Sequence, residues 1–266
     1  MRSLNSPPAP GEMLALFASD MHLQESMPAT TAAFLHFLQH QSVAARQLYL
    51  LGDLFEYWAG DDDIDTPFHR SVVQALRTVS DSGTAIFWIA GNRDFLLGDG
   101  FANATGATQL QDGAVIEVAG RVIVLAHGDA QCTDDVDYIA FRQQVRQPQW
   151  QADFLAQPLA QRKAMIERMR EQSRTAQRDK TMQIMDVNQD AVARLFAGSG
   201  ALQMIHGHTH RPANHATQIG DAQYLRVVLP DWDCEVADAT ARRGGWLGIR
   251  GDGVWLRFDQ NARYVA

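Results

Sequence analysis

Short runs of apolar residues recur along the chain, and five of them stop abruptly at a polar residue or a glycine. Apolar runs of this length, bounded by turn residues, are typical of buried strands. Each of the five is followed within two residues by an Asp, Asn or His. The pattern therefore predicts five strands whose ends carry chemically useful side chains. The runs are Leu14–Ser19, Leu48–Leu51, Ala85–Ala90, Val122–Ala126 and Leu202–Ile205.

Stretches with helical periodicity separate the first three runs. Pro28–Gln41 carries an apolar stripe at helical spacing. Pro67–Ser82 begins with proline and ends before Gly83, which are common start and stop signals of a helix. This alternation of strands and helices predicts an α/β fold in which the first strands are parallel.

The second half of the chain has a different pattern. Residues 115–126 predict a β-hairpin, which makes the sheet structure mixed. Residues 130–200 lack strand character and are rich in Gln, Arg, Met and Ala, which predicts several inserted helices. We predict a flexible N-terminal arm at residues 1–13 and one domain at residues 14–266, with the helical insertion at about 130–200. Later strands are predicted at Tyr224–Leu229, Gly245–Arg250 and Val254–Phe258.

The side chains that follow the five runs are suited to binding hard divalent metal ions. They offer carboxylate and amide oxygens and imidazole nitrogens, and none of them is a cysteine. Because ligands bind beyond the carboxyl ends of strands in α/β sheets, we expect these side chains to meet at one edge. The candidates are Asp20, His22, Asp53, Asn92, His127, His208 and His210.

We interpret this set as a two-metal site in which Asp53 bridges the ions. Two ions about 3.5–4 Å apart need a shared ligand, and a carboxylate has two oxygens to offer. Such ions acidify a water to hydroxide near neutral pH and hold the oxygens of a phosphoryl group during in-line attack. The residues therefore predict hydrolysis of a phosphorus–oxygen bond without a side-chain nucleophile.

Each piece of this pattern also has a plain structural interpretation. A lone Asp-x-His is uninformative, a Gly-Asp pair after a strand is often only a turn, and alternate histidines can form a surface chelate. The occurrence of all five pieces in order, each after an apolar run, favours the metal site. Asp61-Asp62-Asp63 is interpreted as a solvated loop, and His206 as a neighbour of the ligands.

Composition narrows the class of protein. The hydrophobic fraction of 46% is ordinary for a globular protein, and no apolar run approaches the roughly 18 residues that cross a bilayer. The two cysteines provide no disulfide framework, which favours a reducing compartment, so we expect a cytoplasmic protein. A net charge of −8 argues against a nucleic-acid partner. Residues 142–180 are locally basic, however, which predicts an anion-attracting element.

The order of these motifs resembles the calcineurin-like metallophosphoesterases. Most members carry Gly-Asn-His, whereas this chain has Gly-Asn-Arg-Asp at residues 91–94, which resembles one branch, the UDP-2,3-diacylglucosamine hydrolases of lipid A biosynthesis. The similarity covers nearly all of residues 14–258. It includes Leu-Gly-Asp-Leu-Phe-Glu at 51–56, Gly-Asp-Asp-Asp at 60–63, Gly-Asn-Arg-Asp-Phe-Leu-Leu-Gly at 91–98, His-Gly-Asp at 127–129, Cys-Thr-Asp-Asp at 132–135, Ile-Met-Asp-Val-Asn-Gln at 184–189 and Ile-His-Gly-His-Thr-His-Arg-Pro at 205–212.

The resemblance implies an α/β/β/α sandwich of mixed sheets with an inserted helical lid. It also implies two Mn²⁺ ions and attack of water on the α-phosphorus of UDP-2,3-diacylglucosamine, giving UMP and 2,3-diacylglucosamine 1-phosphate (lipid X).

The resemblance also implies which residues hold the ions. One ion would be held by Asp20, His22, Asp53 and His210, and the other by Asp53, Asn92, His127 and His208. Asp53, Asn92 and Arg93 are the implied catalytic residues, and Arg93 would neutralise charge on the pyrophosphate. Implied substrate contacts are Asn92, Arg93, Asp135, Ser173, Lys180, His208 and Gln177, the last at a position where asparagine is expected.

The insertion has two interpretations. It is either a helical hairpin that packs on the main domain or a lid with a methionine-lined groove for acyl chains. The resemblance favours the lid, together with peripheral contact at the cytoplasmic face of the inner membrane and no obligate protein partner.

Two alternative functions of the protein stay open. They are a phosphodiesterase acting on another nucleotide and a non-catalytic scaffold that has lost its metals. No role is predicted for residues 229–245. Apolar candidates for the groove are Met165, Ile166, Met169, Met182 and Met185.

Overall fold

The apolar runs form strands in two sheets rather than one. The structure is a computed structural model, and it describes residue 9, residues 11–178 and residues 186–265. The strands within these residues are β1 (Met13–Ala18), β2 (Gln47–Leu51), β3 (Ala85–Ile89), β4 (Thr108–Gln109), β5 (Ala114–Val118), β6 (Arg121–Leu125), β7 (Gln203–His206), β8 (Ala213–Ile219), β9 (Ala222–Val228), β10 (Gly245–Arg250), β11 (Trp255–Asp259) and β12 (Tyr264–Val265).

The helices lie on the outer faces of the sheets or within the insertion. In the described part of the chain they are α1 (Pro28–His40), α2 (Pro67–Asp81), α3 (Asp99–Thr105), α4 (Val136–Val145), α5 (Pro148–Leu155), α6 (Leu159–Arg178) and α7 (Gln189–Ser199). Four of these helices, α4 to α7, lie between β6 and β7, where the sequence predicts the insertion. No helix among the described residues is both long and apolar enough to cross a membrane.

The two sheets differ in size, but both combine parallel and antiparallel strands. The larger has seven strands in the order β12-β11-β10-β1-β2-β3-β4, and the smaller has five in the order β5-β6-β7-β9-β8. Strands β1, β2 and β3 are parallel, as the strand–helix alternation predicts. In the smaller sheet β6, β7 and β9 are parallel, while hairpins place β5 and β8 antiparallel at its edges.

Three apolar cores explain why the strands are continuous apolar runs. One core lies between the sheets and contains Tyr49 from β2 and Ile205 from β7. A second joins the alternate residues of β2, such as Leu50, to α1 and α2, and a third joins β6 to α7. Because both faces of the central strands are buried, polar residues are excluded from them until the strand ends. The order helix, sheet, sheet, helix confirms the predicted α/β/β/α sandwich.

Several elements differ from the sequence-based expectation. The sequence analysis missed α3, β4, β8 and β12, which are short or lack an apolar pattern. Strand β8 is largely exposed and is ordered by its ladder with β9, so its polar residues gave no strand signal. Of the predicted arm, residues 1–8 and 10 lie outside the described residues. Met13 is the first residue of β1, and Glu12 pairs with Arg46 at 2.8 Å, so these two residues belong to the folded domain.

Candidate metal centre

The ends of five strands meet where the two sheets face each other. Strands β1, β2 and β3 deliver residues 20–22, Asp53 and Asn92 from the larger sheet. Strands β6 and β7 deliver His127 and residues 208–210 from the smaller one. The expected single edge is therefore wrong, because the edges of two sheets supply the site. The core between the sheets holds these edges together.

One group of candidate ligands joins the ends of β1 and β7. Potential ligand atoms of Asp20, His22 and His210 all lie within 4.8 Å of one another. The Nε2 atoms of His22 and His210 are 3.3 Å apart, and His210 Nε2 is 3.5 Å from Asp20 Oδ1. Asp53 Oδ2 lies 3.7 Å from His22 Nε2, so this carboxylate reaches the same group.

A second group lies on the other side of Asp53. Potential ligand atoms of Asp20, Asp53 and His127 lie within 4.8 Å of one another, and all three residues are buried. His127 Nε2 is 3.7 Å from Asp53 Oδ1 and 3.0 Å from Asn92 Oδ1. The two oxygens of Asp53 thus face different histidines, which is the arrangement a bridging carboxylate requires.

The candidate histidines are held so that one nitrogen of each faces the centre. His127 Nδ1 donates to the carbonyl of Leu51 at 2.9 Å, and His22 Nδ1 donates to Glu56 at 2.9 Å. Since a carbonyl and a carboxylate only accept hydrogen bonds, Nδ1 carries a hydrogen in both rings, and Nε2 is the nitrogen that provides the lone pair when the ring is neutral. Metal-binding histidines in proteins are oriented in this way.

The backbone at the candidate ligands adopts a conformation that is rare for residues other than glycine. Seven non-glycine residues in the described part of the chain have positive φ, and five of them are candidate ligands. Such conformations cost free energy and cluster at functional sites. The strand-end turns are thus shaped to aim side chains inward. The five candidates have φ between 48° and 67° and are Asp20, His22, Asp53, His208 and His210.

Two glycines allow the close approach of these turns. A side chain on Gly52, whose φ is 92°, would overlap the ring of His127. A side chain on Gly91 would overlap Asp53. The absence of a side chain at Gly52 therefore makes room for the imidazole of His127.

The charges in the site favour added positive charge. Burial alone lowers the pKa of His127, but the carboxylates of Asp53, Asp129 and Asp20 outweigh it and raise that pKa to about 9. The pKa of Asp20 stays below its usual range despite burial, because His210 and His127 favour the carboxylate. Buried carboxylates that hold a proton on a nearby imidazole fit a centre that binds divalent cations.

His208 takes a different place from the other histidines. Its backbone N–H donates to both oxygens of Asp20 at 3.0 and 2.9 Å, and its ring lies between those of His127 and Tyr138. Among the described residues, its ring nitrogens belong neither to the group of Asp20, His22 and His210 nor to the group of Asp20, Asp53 and His127. Burial and the charge of His127 lower the pKa of His208 to about 4, which keeps the imidazole neutral.

His206 lies behind the site, as expected. It is fully buried, its Nδ1 donates to the carbonyl of Gly207 at 2.9 Å, and its Nε2 accepts from Arg226 at 3.0 Å. Burial and the charge of Arg226 lower the pKa of His206 to about 3. Both ring nitrogens are therefore used by protein partners.

A cavity of about 320 Å³ opens beside Asn92 and Arg93 and extends under the insertion. Asp135, a predicted substrate contact, lies in its wall. Two of the predicted groove residues, Ile166 and Met169, also line it, although aromatic rings outnumber them. Met182 and Met185 lie outside the described residues. The rings belong to Tyr57, Trp58, Phe95, Tyr138, Phe141, Trp150 and Phe154.

Three predicted substrate contacts cannot be placed beside the cavity. Ser173 and Gln177 belong to α6, but their side chains lie outside the described residues, as does the whole of Lys180. These three assignments stay predictions, as do the assignments of individual metal ligands.

Five basic residues of the insertion face the main domain, whereas Arg168 on α6 is exposed. Arg146 donates to the carbonyls of Ala90 and Gly91, and the other four pair with carboxylates. The predicted anion-attracting surface is therefore wrong for these side chains. Asp63 is buried, so the solvated loop predicted at residues 61–63 is wrong as well. The pairs are Arg142 with Asp112 and Asp129, Arg162 with Asp62, Lys163 with Asp63, and Arg170 with Glu56.

Sequence reasoning missed the residues that support the candidate ligands. Asp94 accepts the backbone N–H groups of Gly91 and Leu54 at 2.9 and 2.7 Å, which ties two strand-end turns together. Burial and the charge of Asp53 raise the pKa of Asp94 to about 6. Glu56 and Asp94 stand inside the motifs that carry the resemblance, but nothing in the sequence pattern assigned them a partner.

Comparison with known proteins identifies the family. The sequence profile of the calcineurin-like phosphoesterases matches residues 13–212. The chain belongs to this family. It is also 48% identical over 220 residues to a UDP-2,3-diacylglucosamine hydrolase of Cellvibrio japonicus, covering 83% of this chain and 91% of that protein.

Two further relatives have the same name. The protein of Aromatoleum aromaticum is 49% identical over 246 residues, which is 92% of this chain and 98% of the relative. That of Escherichia coli is 48% identical over 223 residues, which is 84% and 92% of the two chains. The resemblance stated from the motifs is confirmed by these relatives.

Proposed function

We propose that this calcineurin-like phosphoesterase hydrolyses UDP-2,3-diacylglucosamine to UMP and 2,3-diacylglucosamine 1-phosphate, a step of lipid A biosynthesis. The name of its relatives supports this substrate. The observation that carries the proposal is the position of the aromatic-lined cavity, which opens at Asn92 and Arg93, next to the candidate metal centre. A substrate with a pyrophosphate and two acyl chains needs that combination of a charged centre and an apolar cavity.

The candidate ligands fit two divalent cations. Asp20, His22, Asp53 and His210 would hold one, and Asp53, Asn92, His127 and His208 the other. When bound, such ions supply electrostatic stabilisation of phosphoryl oxygens and a water that is acidic near neutral pH. We propose Mn²⁺ on the basis of the family resemblance. The same oxygen and imidazole ligands would also accept Fe²⁺, Co²⁺ or Zn²⁺.

Arg93 supports the reaction at the pyrophosphate. Its backbone N–H donates to Asp53 Oδ1 at 2.9 Å, which ties it to the centre of the site. Its side-chain Nε is buried and has no hydrogen-bond partner among the described residues. The guanidinium is thus available to bind a phosphoryl oxygen and to stabilise the charge that develops there.

The bond changes are those of a hydrolysis. The oxygen of water attacks the α-phosphorus, and the bond from that phosphorus to the bridging oxygen breaks. The bridging oxygen leaves with its electron pair on the β-phosphate, which becomes the 1-phosphate of the lipid. The water loses its proton to solvent, and UMP gains the water oxygen.

We also propose peripheral contact with the cytoplasmic face of the inner membrane, where a diacylated substrate resides. The support comes from apolar side chains, since Arg142, Lys163 and Arg170 of the insertion are already paired with carboxylates of the main domain. Val136, Phe141 and Leu155, all on the insertion, are exposed, and Val136 has 72% of its surface open to solvent. Phe141 also lines the cavity, so one of these exposed apolar side chains lies where the acyl chains of the substrate would enter.

The experiment that tests the function is incubation of the protein with UDP-2,3-diacylglucosamine and Mn²⁺ in ¹⁸O-labelled water. We expect UMP, with the label in UMP and none in the lipid phosphate. UDP-N-acetylglucosamine serves as a substrate without long acyl chains, and cyclic nucleotides represent the alternative phosphodiesterase. Release of UMP by the parent and its absence from Asp53→Ala would support the proposal, whereas hydrolysis of cyclic nucleotides alone would reject it.

A further inference from the structure

Glu56 contacts both a candidate metal ligand and the insertion. Its Oε2 accepts from His22 Nδ1 at 2.9 Å, and its Oε1 accepts from Arg170 Nη2 at 2.8 Å. The side chains of Glu56 and Arg170 are only 15% and 11% exposed. One carboxylate, with one oxygen for each partner, therefore connects β1's end to helix α6.

The bond from His22 determines what this histidine offers to a metal. Because Nδ1 donates to Glu56, Nε2 is the nitrogen left for a metal, and it lies 3.3 Å from His210 Nε2. The same Nε2 lies 3.7 Å from Asp53 Oδ2. Without the carboxylate, the ring would lose the partner that selects its tautomer and its rotation.

Arg170 is itself held on both sides. Its guanidinium lies over the ring of Tyr57, 5.4 Å from the centroid, and pairs with Glu167 at 3.0 Å on the same helix. Ile166 and Met169, within one helical turn of Arg170, line the aromatic cavity. The segment of α6 that covers the cavity is therefore the segment that reaches Glu56.

We propose that Glu56 is a positioning residue that orients His22 for metal binding and couples the metal centre, through Arg170, to the placement of α6 over the cavity. The proposal deepens the function proposed above and rests on its metal centre. Its consequence is that the insertion contributes to metal affinity as well as to substrate binding.

The test is calorimetric titration of Mn²⁺ into chelator-treated protein. In Glu56→Gln the side chain keeps its size, but its amide oxygen can accept from only one of the two donors. We expect Mn²⁺ to bind at least about tenfold more weakly than to the parent, the size of effect typical of partners of metal ligands. Because the variant also loses the mostly buried ion pair with Arg170, its melting temperature with chelator present should fall, and circular dichroism at the titration temperature checks that the protein is folded.

Arg170 and its second carboxylate partner, Glu167, provide three comparison variants. Glu167→Gln removes its other carboxylate, which is 54% exposed and touches no candidate ligand, and Mn²⁺ affinity should stay at the parental value. Arg170→Ala should weaken Mn²⁺ binding by several fold, because Glu56 then lacks its tie to α6. Arg170→Lys, which keeps one charge-assisted bond, should recover part of that loss.

The outcomes separate this proposal from the proposed function. Parental Mn²⁺ affinity in Glu56→Gln would overturn it, as would an equal loss in Glu167→Gln. Calorimetry needs no nucleotide substrate, so a parent that binds Mn²⁺ but releases no UMP would reject the function and leave this test intact.

Discussion

Asp94 accepts hydrogen bonds from the turn that carries Asp53: its Oδ1 from the backbone N–H of Asp53 at 3.3 Å, and its Oδ2 from that of Leu54 at 2.7 Å. The same carboxylate accepts from Gly91 at 2.9 Å. Two acidic residues that repel each other are therefore held close by backbone amides, and the left-handed conformation of Asp53 depends on this support.

Replacement of Asp94 by alanine should destabilise the protein. It would remove the acceptor of four backbone N–H groups, those of Asp53, Leu54, Phe55 and Gly91, and a buried donor left unpaired costs about 1–3 kcal/mol. We expect the free energy of unfolding in urea, measured with chelator present, to fall by about 3 kcal/mol. Asp94→Asn, which keeps one acceptor oxygen, should lose less.

Asp65 supplies the control for this substitution. Its carboxylate is 84% exposed and pairs only at the surface with Arg70 at 3.3 Å. Asp65→Ala should therefore change the unfolding free energy by less than about 0.5 kcal/mol. Equal urea midpoints for the two alanine variants would show that Asp94 does not hold the turn.

Gly52→Ala should disrupt the metal centre. Its Cβ would overlap the ring of His127 and approach the Cα of Gly91 at 2.8 Å, and neither buried neighbour can move without shifting a candidate ligand. We expect Mn²⁺ content, measured by atomic spectroscopy, and UMP release to fall together. Gly120→Ala isolates the backbone contribution, because φ there is 72° but no described atom lies within 4 Å of the added Cβ.

The Gly120 variant should lose only the cost of a left-handed alanine, about 1–2 kcal/mol, and keep its metal and activity. Full Mn²⁺ content in Gly52→Ala would contradict the close packing of the two strand-end turns. A comparable loss of metal in Gly120→Ala would show that backbone strain alone explains the effect.

Binding of Mn²⁺ at pH 7 should release protons. In the metal-free protein the pKa of His127 is raised to about 9, and that of His22 is raised despite burial by its bond to Glu56 and by the charges of Asp53 and Asp20. A metal binds only the neutral imidazole, so affinity should rise with pH up to about 9. Calorimetry in buffers with different ionisation enthalpies measures the protons released, and zero release would contradict the raised values.

The raised pKa of His127 makes the stability of the metal-free protein depend on pH. The folded pKa of His127 lies above the unfolded value of about 6.5, so its imidazolium stabilises the metal-free fold fully below about pH 6.5. That contribution is lost as the pH rises through about 9. Thermal melts of the chelated protein from pH 6 to pH 10 should show this decline, and bound Mn²⁺ should abolish it.

A charge placed in the cavity should weaken binding of the lipid part of the substrate. Met169→Glu or Ile166→Asp would put a carboxylate against the aromatic lining, where an acyl chain cannot compensate its burial. We expect KM for UDP-2,3-diacylglucosamine to rise at least about tenfold with a smaller change in kcat. Ala164→Glu, which adds the same charge at an exposed position of α6, should leave KM unchanged. Unchanged kinetics in the cavity variants would reject the interpretation of the insertion as a lid over the acyl chains.

The sequence by itself determined the central strands and the residues at their ends. Strands such as β2 are buried on both faces, so the apolar run stops where the strand stops, and the next polar residue is at the site. Local periodicity and proline and glycine signals likewise located α1 and α2. Such features depend only on neighbours along the chain, and for that reason a single sequence reveals them.

Only the tertiary structure decided which residues support the site and which face each side chain takes. Pairs such as His22 with Glu56, Arg170 with Glu56, and Lys163 with Asp63 join segments 34 to 114 residues apart. A basic residue has the same sequence signal whether it faces solvent or a buried carboxylate. The division of the strands between two sheets, the exposed strand β8 and the aromatic cavity arise in the same way, because packing between distant segments has no local pattern to predict it.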